Sequence, residues 1–232
     1  MITLPDYSDS KIRSELFAAI PEQPRVDILN SGQRGHIVAG TTLFREGDAA
    51  LKCYFVQKGR LKLTKLHMEG KEAIVRYINP GEITAAVAVF KESTYPVTAS
   101  AVEDSTVVSW DRPTILKVLS EYPSLTINLL NGALDRLEDM QKRYLELCAE
   151  RVEQRIARTL LRIMRRSGRR TDTGVLIDFR LSRQDLADYT GATLYTVSRI
   201  LSAWEKKGWI SSGREKITVT DPHALVGFAD NG

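Results

Sequence analysis

Short runs of β-forming residues, separated by glycines, fill the chain from about Gly35 to Asp111. Apolar and polar residues are mixed in these runs in a way that is typical of short strands rather than helices. The runs lie at 52–57, 61–66, 73–78, 97–102 and 106–110. Because short strands with glycine turns favour an antiparallel barrel or roll, we predict a β-roll with a hairpin tip at 67–70. The ends of such rolls commonly hold small ligands.

A helical pattern follows from about Pro113 to about Glu150. Its second part carries a seam of residues at alternating spacings of four and three, as in a coiled coil. The seam consists of Leu130, Leu134, Leu137, Gln141, Tyr144 and Cys148. A single seam on a long helix indicates a partner helix, and we expect the same helix of a second copy. The alternative is that the helix packs only on its own roll.

Residues 181–209 predict two short helices joined by a tight turn. Ser182 is a good N-cap, and Asp185 three residues later gives a pattern close to a capping box. Gly191 suits the left-handed turn that ends a helix, and Thr193 caps the second helix. In that second helix the residues expected to face the core are Val197, Ile200, Leu201 and Trp204.

The outward side chains of this helix-turn-helix are suited to nucleic acid. Such a motif places the N-terminal side chains of its second helix in the major groove, where Arg199 can contact guanine with both ends of its fork. The outward residues of that helix are Leu194, Tyr195, Ser198 and Arg199. Residues suited to phosphates, which fix register without selecting sequence, are Ser182, Arg183, Gln184, Thr193 and Thr196. The alternative is a helical hairpin whose polar face is merely solvated.

The sequence on either side of this motif supports DNA binding. Residues 210–219 predict two short strands around a glycine turn, a wing, with Arg214 and Lys216 at or near its tip. Residues 152–166 predict an amphipathic helix, and 167–173 a polar, basic loop. From residue 151 onward the chain holds 15 of its 33 Lys and Arg but only 9 of its 29 Asp and Glu. The basic excess therefore lies with the motif, as nucleic-acid binding requires, although a solvated basic face has the same composition.

These patterns predict an α+β protein of three segments. They are a β-roll sensor at 1–112, a long dimerisation helix and hinge at 113–150, and a winged helix-turn-helix at 151–232. The longest apolar runs are far short of a membrane span and the start lacks a signal pattern, so we expect a cytoplasmic protein without a membrane partner. Cys53 and Cys148 have no metal-ligand or redox spacing, and we expect each to be a small buried residue. No phosphate loop, nucleophile elbow or metal pair is apparent, which disfavours an enzyme.

The order of roll, long helix and winged helix-turn-helix resembles the cAMP receptor protein/FNR superfamily of bacterial transcription regulators. The resemblance covers nearly the whole length. Each of its sequence motifs is weak evidence alone, but together, in this order and spacing, they are strong evidence. They are TLFREGD at 42–48, YFVQKGR at 54–60, INPGE at 78–82, YPVTASAVED at 95–104, RIARTLL at 155–161, LSRQDLA at 181–187 and TVSR at 196–199.

The resemblance implies a homodimer that binds a near-palindromic operator in double-stranded DNA, with RNA polymerase as a further partner. A signal sensed in the roll would pass through the long helix to the DNA-binding segment. Members of the cAMP type carry Arg, Glu and Arg at three positions that read bases. This chain has Leu194, Tyr195 and Arg199 there, so only the last is kept. We therefore expect a different half-site, because an acidic side chain accepts from cytosine, whereas Tyr195 is suited to stacking or to contact with a thymine methyl group.

The resemblance also bears on the effector. Where cAMP-binding members carry a Gly-Glu pair and an Arg-Ser pair, this chain has Ala-Ala at 85–86 and Pro-Val at 96–97, so a cyclic phosphate would lose its charge-assisted bonds. We predict that cAMP is not the effector. Arg76 and Arg136 are candidate anchors for a carboxylate or phosphate, and the alternative for each is a solvated or salt-bridged surface residue. Gln141 either sets the register of the helix or contacts a ligand. The predicted effector pocket is Arg76, Ala85, Ala86, Pro96, Val97, Arg136, Met140 and Gln141.

Other effectors of the family can be weighed in the same way. No cysteine precedes Cys53, which argues against a four-thiolate iron–sulfur cluster in one chain. Haem is disfavoured because the histidines, His36, His67 and His223, are few and scattered. The prediction is thus a DNA-binding regulator that senses a small molecule or a redox or gas signal other than cAMP. The alternatives are a haem-based sensor of the same family, and a ligand-binding or scaffold protein with a vestigial helix-turn-helix.

Overall fold

The structure is a computed structural model that describes residues 14–66, 68, 70–213 and 215–231. The chain divides into two compact units, one of residues 1–62 and 78–137 and the other of residues 63–77 and 138–232. Two residues named above, His67 and Arg214, lie outside the described residues, as does the start of the chain. The predicted segment boundaries at 112 and 150 stay predictions.

A six-stranded sheet forms most of the first unit. Its strands are β1 (Gln33–Ile37), β2 (Thr42–Phe44), β3 (Lys52–Leu66), β4 (Glu72–Ile78), β5 (Ile83–Thr84) and β6 (Thr98–Asp111). The strand order is β1-β6-β3-β4, with β2 beside β6 and β5 beside β3. β1 runs antiparallel to β6, with Gln33 opposite Ser109. The predicted antiparallel β-roll is therefore confirmed as an N-terminal antiparallel sheet. The C-terminal end of β3 and all of β4 except Ile78 are counted with the second unit.

Two pairs of predicted strands are single long strands. The runs at 52–57 and 61–66 are both part of β3, and those at 97–102 and 106–110 are both part of β6. Within β3, a residue between the two predicted runs is Gly59, which has φ +80° and lies so close to β6 that a Cβ would collide with Asp104 and Ser105. Gly59 thus permits a close approach of two strands inside the sheet, whereas the sequence pattern suggests a turn.

Short helices cover the sheet of the first unit. They are a 3-10 helix (Glu15–Phe17), α1 (Glu22–Asn30), α2 (Ala86–Phe90) and α3 (Arg112–Glu121). Trp110 of β6 is buried, and its indole nitrogen donates to the Ile28 carbonyl of α1 at 3.2 Å. Phe17 packs edge-on against Phe55 of β3, with ring centroids 5.2 Å apart. Apolar contacts between the helices and the sheet therefore form the core of this unit.

The predicted helical segment from Pro113 consists of two helices. α3 ends at Glu121, and α4 runs from Pro123 to Ala149. Tyr122 between them has φ −127° and ψ 76°, because the ring of a proline disfavours helical backbone in the residue before it. Within the described part of the chain, no helix has the length and apolar character needed to cross a membrane.

The second unit combines the C-terminal part of α4 with the elements that follow it. These are α5 (Val152–Ser167), β7 (Gly168–Thr171), β8 (Gly174–Ile177), α6 (Arg183–Thr190), α7 (Leu194–Lys206), β9 (Ile210–Gly213), β10 (Lys216–Val219) and α8 (Pro222–Asn231). The predicted wing is β9 and β10, which pair antiparallel with Ile217 opposite Ser212. β7, β8, β10 and β9 form one sheet in this order.

The prediction of a loop at 167–173 is wrong. Residues 168–171 form β7, which pairs antiparallel with β8 from Gly168 opposite Ile177 to Thr171 opposite Gly174. β8 in turn pairs with β10, where Leu176 lies opposite Thr218. A partner strand far along the chain stabilises this hairpin, and the local polarity of the sequence gives no sign of it.

The two cysteines differ. Cys53 is fully buried in the first unit, and burial raises the pKa of its thiol to about 12, so the thiol stays neutral and unreactive at physiological pH. Cys148 is exposed on α4. The prediction of a small buried residue is thus confirmed for Cys53. Cys148 belongs to a face of α4 that its own chain does not cover, so its burial against a second copy stays a prediction.

Candidate nucleic-acid interface

α6 and α7 are bounded by the residues that the sequence indicates. The Ser182 hydroxyl accepts from the Asp185 amide at 2.9 Å, and the Asp185 carboxylate accepts from the Ser182 amide at 3.0 Å, which is a reciprocal capping box. Gly191 ends α6 with φ +67°. The Thr193 hydroxyl accepts from the Thr196 amide at 3.1 Å and so caps α7. The predicted helix-turn-helix is confirmed in these details.

α7 has one buried and one exposed face. The four predicted core residues of this helix are buried: Val197, Ile200, Leu201 and Trp204. On the opposite face Tyr195 is 77% exposed and Leu194 46% exposed, and Arg199 is also exposed. Tyr195 and Arg199 are four residues apart, so they lie on the same side of the helix. The packing of the core therefore leaves this side free to meet a ligand.

The predicted phosphate-binding residues of α6 have partners within the chain. Nη2 of Arg183 donates to the Ser212 hydroxyl of the wing at 3.2 Å and lies 3.6 Å from the Glu205 carboxylate. Nε2 of Gln184 donates to Asp188 at 2.7 Å. The side chain of Ser182 is engaged in the capping box. A phosphate would have to share or replace these bonds, so the phosphate contacts of these residues stay predictions.

Glu205 connects α7 to the wing, a role that the sequence pattern does not reveal. Its carboxylate accepts from the Ser212 amide at 3.0 Å and also from the Ser212 hydroxyl. The predicted contact residue Lys216 lies at the start of β10, exposed and paired in register with Gly213. Glu215, just before it, adopts φ +57°, so the positive φ of the turn belongs to a glutamate and not to the glycine that the sequence suggests.

Arg199 also has a partner that the sequence does not indicate. Its Nη2 lies 3.5 Å from Oε1 of Glu153 in the first turn of α5. The two residues are 46 positions apart in the chain, and only the packing of α5 near α7 brings them together.

Much of the basic excess of this unit is paired. Arg162 makes a two-point contact with Glu146, at 3.1 and 2.8 Å. Among the arginines at 165–170, Arg166 pairs with Asp139 and Arg169 lies 3.5 Å from Asp178. Part of the positive charge of this unit therefore forms ion pairs within the chain, and only part of it lies at the predicted interface.

Arg143 lies beside a cavity of about 380 Å³ in the second unit. Its guanidinium lies 4.2 Å from the centre of the Tyr189 ring and donates to the Tyr189 carbonyl of α6 and to the Val75 carbonyl of β4. Met140, one of the predicted effector residues, also lines this cavity. The sequence pattern does not single out Arg143, because its partners come from distant segments.

The other predicted effector residues are spread over both units. In the first unit Arg136 donates to the Ile83 carbonyl at 2.8 Å, and Ala85 has φ +66° just before α2. Ala86, Pro96 and Val97 also belong to this unit, whereas Arg76, Met140 and Gln141 belong to the second. Because Arg136 already binds a backbone carbonyl, its role as an effector anchor stays a prediction, and so does that of Arg76.

The predicted seam of α4 is exposed in the single chain. Leu130, Leu134 and Leu137 are each 50–58% exposed, and Tyr144 is 67% exposed. Gln141 and Cys148, the other two members, are exposed as well. These residues recur every three or four positions, so they form one stripe along the helix, apolar except for Gln141, which we call the α4 stripe.

The fold and the interface together define a DNA-binding protein with a winged helix-turn-helix and an N-terminal β-sheet domain. Two family models match the chain: the cyclic nucleotide-binding domain at residues 34–122 and the Crp-like helix-turn-helix domain at residues 154–228. The chain belongs to the CRP/FNR family of transcription regulators, which is a family of DNA-binding proteins and not of enzymes.

Individual relatives agree with this assignment. The anaerobic regulatory protein of Bacillus subtilis is 30% identical over 74% of this chain and 72% of its own length. The cyclic AMP receptor protein of Thermus thermophilus is 28% identical over 93% of this chain and 97% of its own length. The structure of FixK2 from Bradyrhizobium japonicum has a TM-score of 0.74 at 23% identity, covering 84% of this chain and 96% of that one, which supports the fold.

Proposed function

We propose that the protein is a homodimeric regulator that reads a near-palindromic operator with α7 and senses an effector other than cAMP. The observation that carries the proposal is the α4 stripe, an apolar face that runs along a 27-residue helix and is exposed in the single chain. Exposed apolar stripes of this length are unusual unless a partner covers them. The same helix of a second copy matches the stripe by symmetry.

A dimer of this kind requires a DNA site with two half-sites at a fixed spacing. Two symmetry-related copies of α7 would enter successive major grooves, with half-site centres about 34–36 Å apart. Selection of bound duplexes from a random pool, together with native mass spectrometry of the complex, tests this directly. We expect two protein chains per duplex and a two-fold symmetric sequence, and a selected sequence without two-fold symmetry would reject the homodimer. RNA polymerase is the further partner that we expect at a promoter.

The effector proposal depends on the residues at the start of α2 and just before β6. Ala85, Ala86, Pro96 and Val97 offer neither a cation nor a hydroxyl to a cyclic phosphate. Relatives include both a protein named for cyclic AMP and an anaerobic regulatory protein, so their names leave the signal open. We expect cAMP at saturating concentration to leave the affinity for a selected duplex unchanged, as measured by fluorescence anisotropy. A cAMP-dependent rise in affinity would overturn this part of the proposal.

A different class of function, a scaffold with a vestigial helix-turn-helix, makes opposite predictions. The intact caps of α6 and α7 and the exposed Tyr195 and Arg199 favour a working DNA-binding motif. Uniform weak binding to random genomic fragments, with and without candidate effectors, would instead support the scaffold. The visible absorption spectrum of the purified protein separates the haem-based alternative, because bound haem absorbs strongly.

Arg199→Ala is expected to reduce the affinity for a selected duplex by about 1–3 kcal/mol and to relax the preference at one base pair of each half-site. Lys216→Ala should weaken binding to selected and scrambled duplexes alike, because a phosphate contact carries no sequence information. Anisotropy titrations with single-base variants of the duplex measure both effects. Unchanged affinity and unchanged base preference in Arg199→Ala would remove this residue from the set that reads bases.

A further inference from the structure

A carboxylate outside the recognition helix holds the guanidinium of Arg199. Glu153 lies in the first turn of α5, and its Oε1 is 3.5 Å from Nη2 of Arg199. The side chain of Arg199 nevertheless stays 60% exposed, and that of Glu153 33% exposed. The contact therefore restrains the guanidinium from one side and leaves the rest of the fork open to solvent.

The chemistry of arginine makes such a restraint useful. A guanidinium carries five N–H donors in a fixed plane, so it can donate to a carboxylate and still present two donors to O6 and N7 of guanine. A free arginine loses much rotamer freedom when it binds a base. A partner that already limits this freedom lowers the entropy lost on binding, which is preorganisation.

We propose that Glu153 is a positioning residue that sets the preference of Arg199 for guanine. This rests on the proposed role of Arg199 as a base-reading residue. Glu153 does not contact the base itself; it orients the fork from the neighbouring helix. The sequence preference of the reading helix thus depends on a residue that lies outside the helix-turn-helix.

Glu153 has a second, separable effect. Its negative charge, close to the DNA-facing side of α7, repels the phosphates of any duplex. Because phosphates are the same in every sequence, this repulsion changes all affinities by the same factor and cancels in the ratio between two duplexes. Positioning of Arg199, by contrast, changes discrimination at a single base pair. The ratio of the affinities for two duplexes that differ at this base pair therefore isolates the proposed positioning of Arg199 by Glu153.

The experiment compares the full-length protein with Glu153→Gln on duplexes that differ at one base pair. The base pair used is the one whose preference Arg199→Ala relaxes. We expect Glu153→Gln to reduce discrimination at that position about two- to fivefold, the range of a partly exposed ion pair. Discrimination at all other positions should stay unchanged. In the Arg199→Ala background, Glu153→Gln should have no effect on the ratio.

Asp178→Asn provides a matched control. Asp178 lies 3.5 Å from Arg169 in the same unit, so this change removes the same charge and releases an arginine at the same distance from its partner. It should leave discrimination unchanged. Three results for Glu153→Gln would each overturn the role of Glu153. They are an equal change in discrimination at every base pair, no change in discrimination at the base pair read by Arg199, and the same change in the Arg199→Ala background. If Arg199→Ala itself relaxes no position, the proposed reading by Arg199 fails, and this result is distinct from the others.

Discussion

Leu134→Lys is expected to convert the proposed dimer to a monomer and to lower its affinity for a selected operator at least about a hundredfold. Leu134 lies in the middle of the α4 stripe and is 50% exposed in the single chain. Burying such a side chain contributes about 1.5–3 kcal/mol, and the symmetry of a homodimer counts each substitution twice. The loss in DNA affinity follows because two linked reading heads bind as one unit, whereas a monomer has only one.

Sedimentation or native mass spectrometry measures the association state, and anisotropy measures the affinity for the same duplex. Asp135→Lys is the matched control, because it places the same charged residue one position along, on a different and exposed face of α4. We expect this variant to stay dimeric. A dimeric Leu134→Lys variant would show that the stripe is not the interface. A monomeric variant with full DNA affinity would show that dimerisation does not contribute to binding.

Trp204→Ala is expected to lower the free energy of unfolding by about 3–5 kcal/mol, the range for removing a large aromatic side chain from a core. Trp204 is 3% exposed, and its ring packs edge-on against Phe228 with centroids 5.8 Å apart. It also lies 6.3 Å from the ring of Trp209, between α7 and the wing. Loss of this side chain leaves a cavity behind the exposed face of α7.

Denaturant unfolding followed by circular dichroism measures this loss. Tyr195→Ala is the comparison, because Tyr195 is an aromatic residue of the same helix that is 77% exposed. Its removal should change the stability by less than about 0.5 kcal/mol, as for most surface substitutions. A loss below about 1 kcal/mol for Trp204→Ala would mean that the surrounding side chains close the cavity, contrary to the expectation from close packing.

The local signals around residues 181–209 are sufficient to predict α6 and α7, whereas nothing in the sequence pattern singles out α8. Ser182, Gly191 and Thr193 act through bonds within three or four residues, so the sequence contains both partners of each bond. The buried face of α7 follows from helical spacing alone. Such features can be predicted because their physical causes are local in the chain.

Features with distant causes escape prediction. The pattern around Gly59 indicates a turn, because the sequence does not show that β6 passes against its α-carbon. The β7–β8 hairpin depends on pairing with β10, and its own residues are polar enough to suggest a loop. The partners of Arg199 and Arg183 come from α5, α7 and the wing, and only the tertiary structure brings them together.

The bonds of Glu205 have a mechanical consequence. Because Glu205 of α7 accepts from Ser212 of the wing, and Arg183 of α6 donates to the same serine, side-chain bonds join these three parts into one group. Bonds of this kind resist a change in the shape of the group more than a movement of the whole group. We therefore expect a regulatory signal to move α6, α7 and the wing together, and to change the base preference only through side chains outside them, such as Glu153.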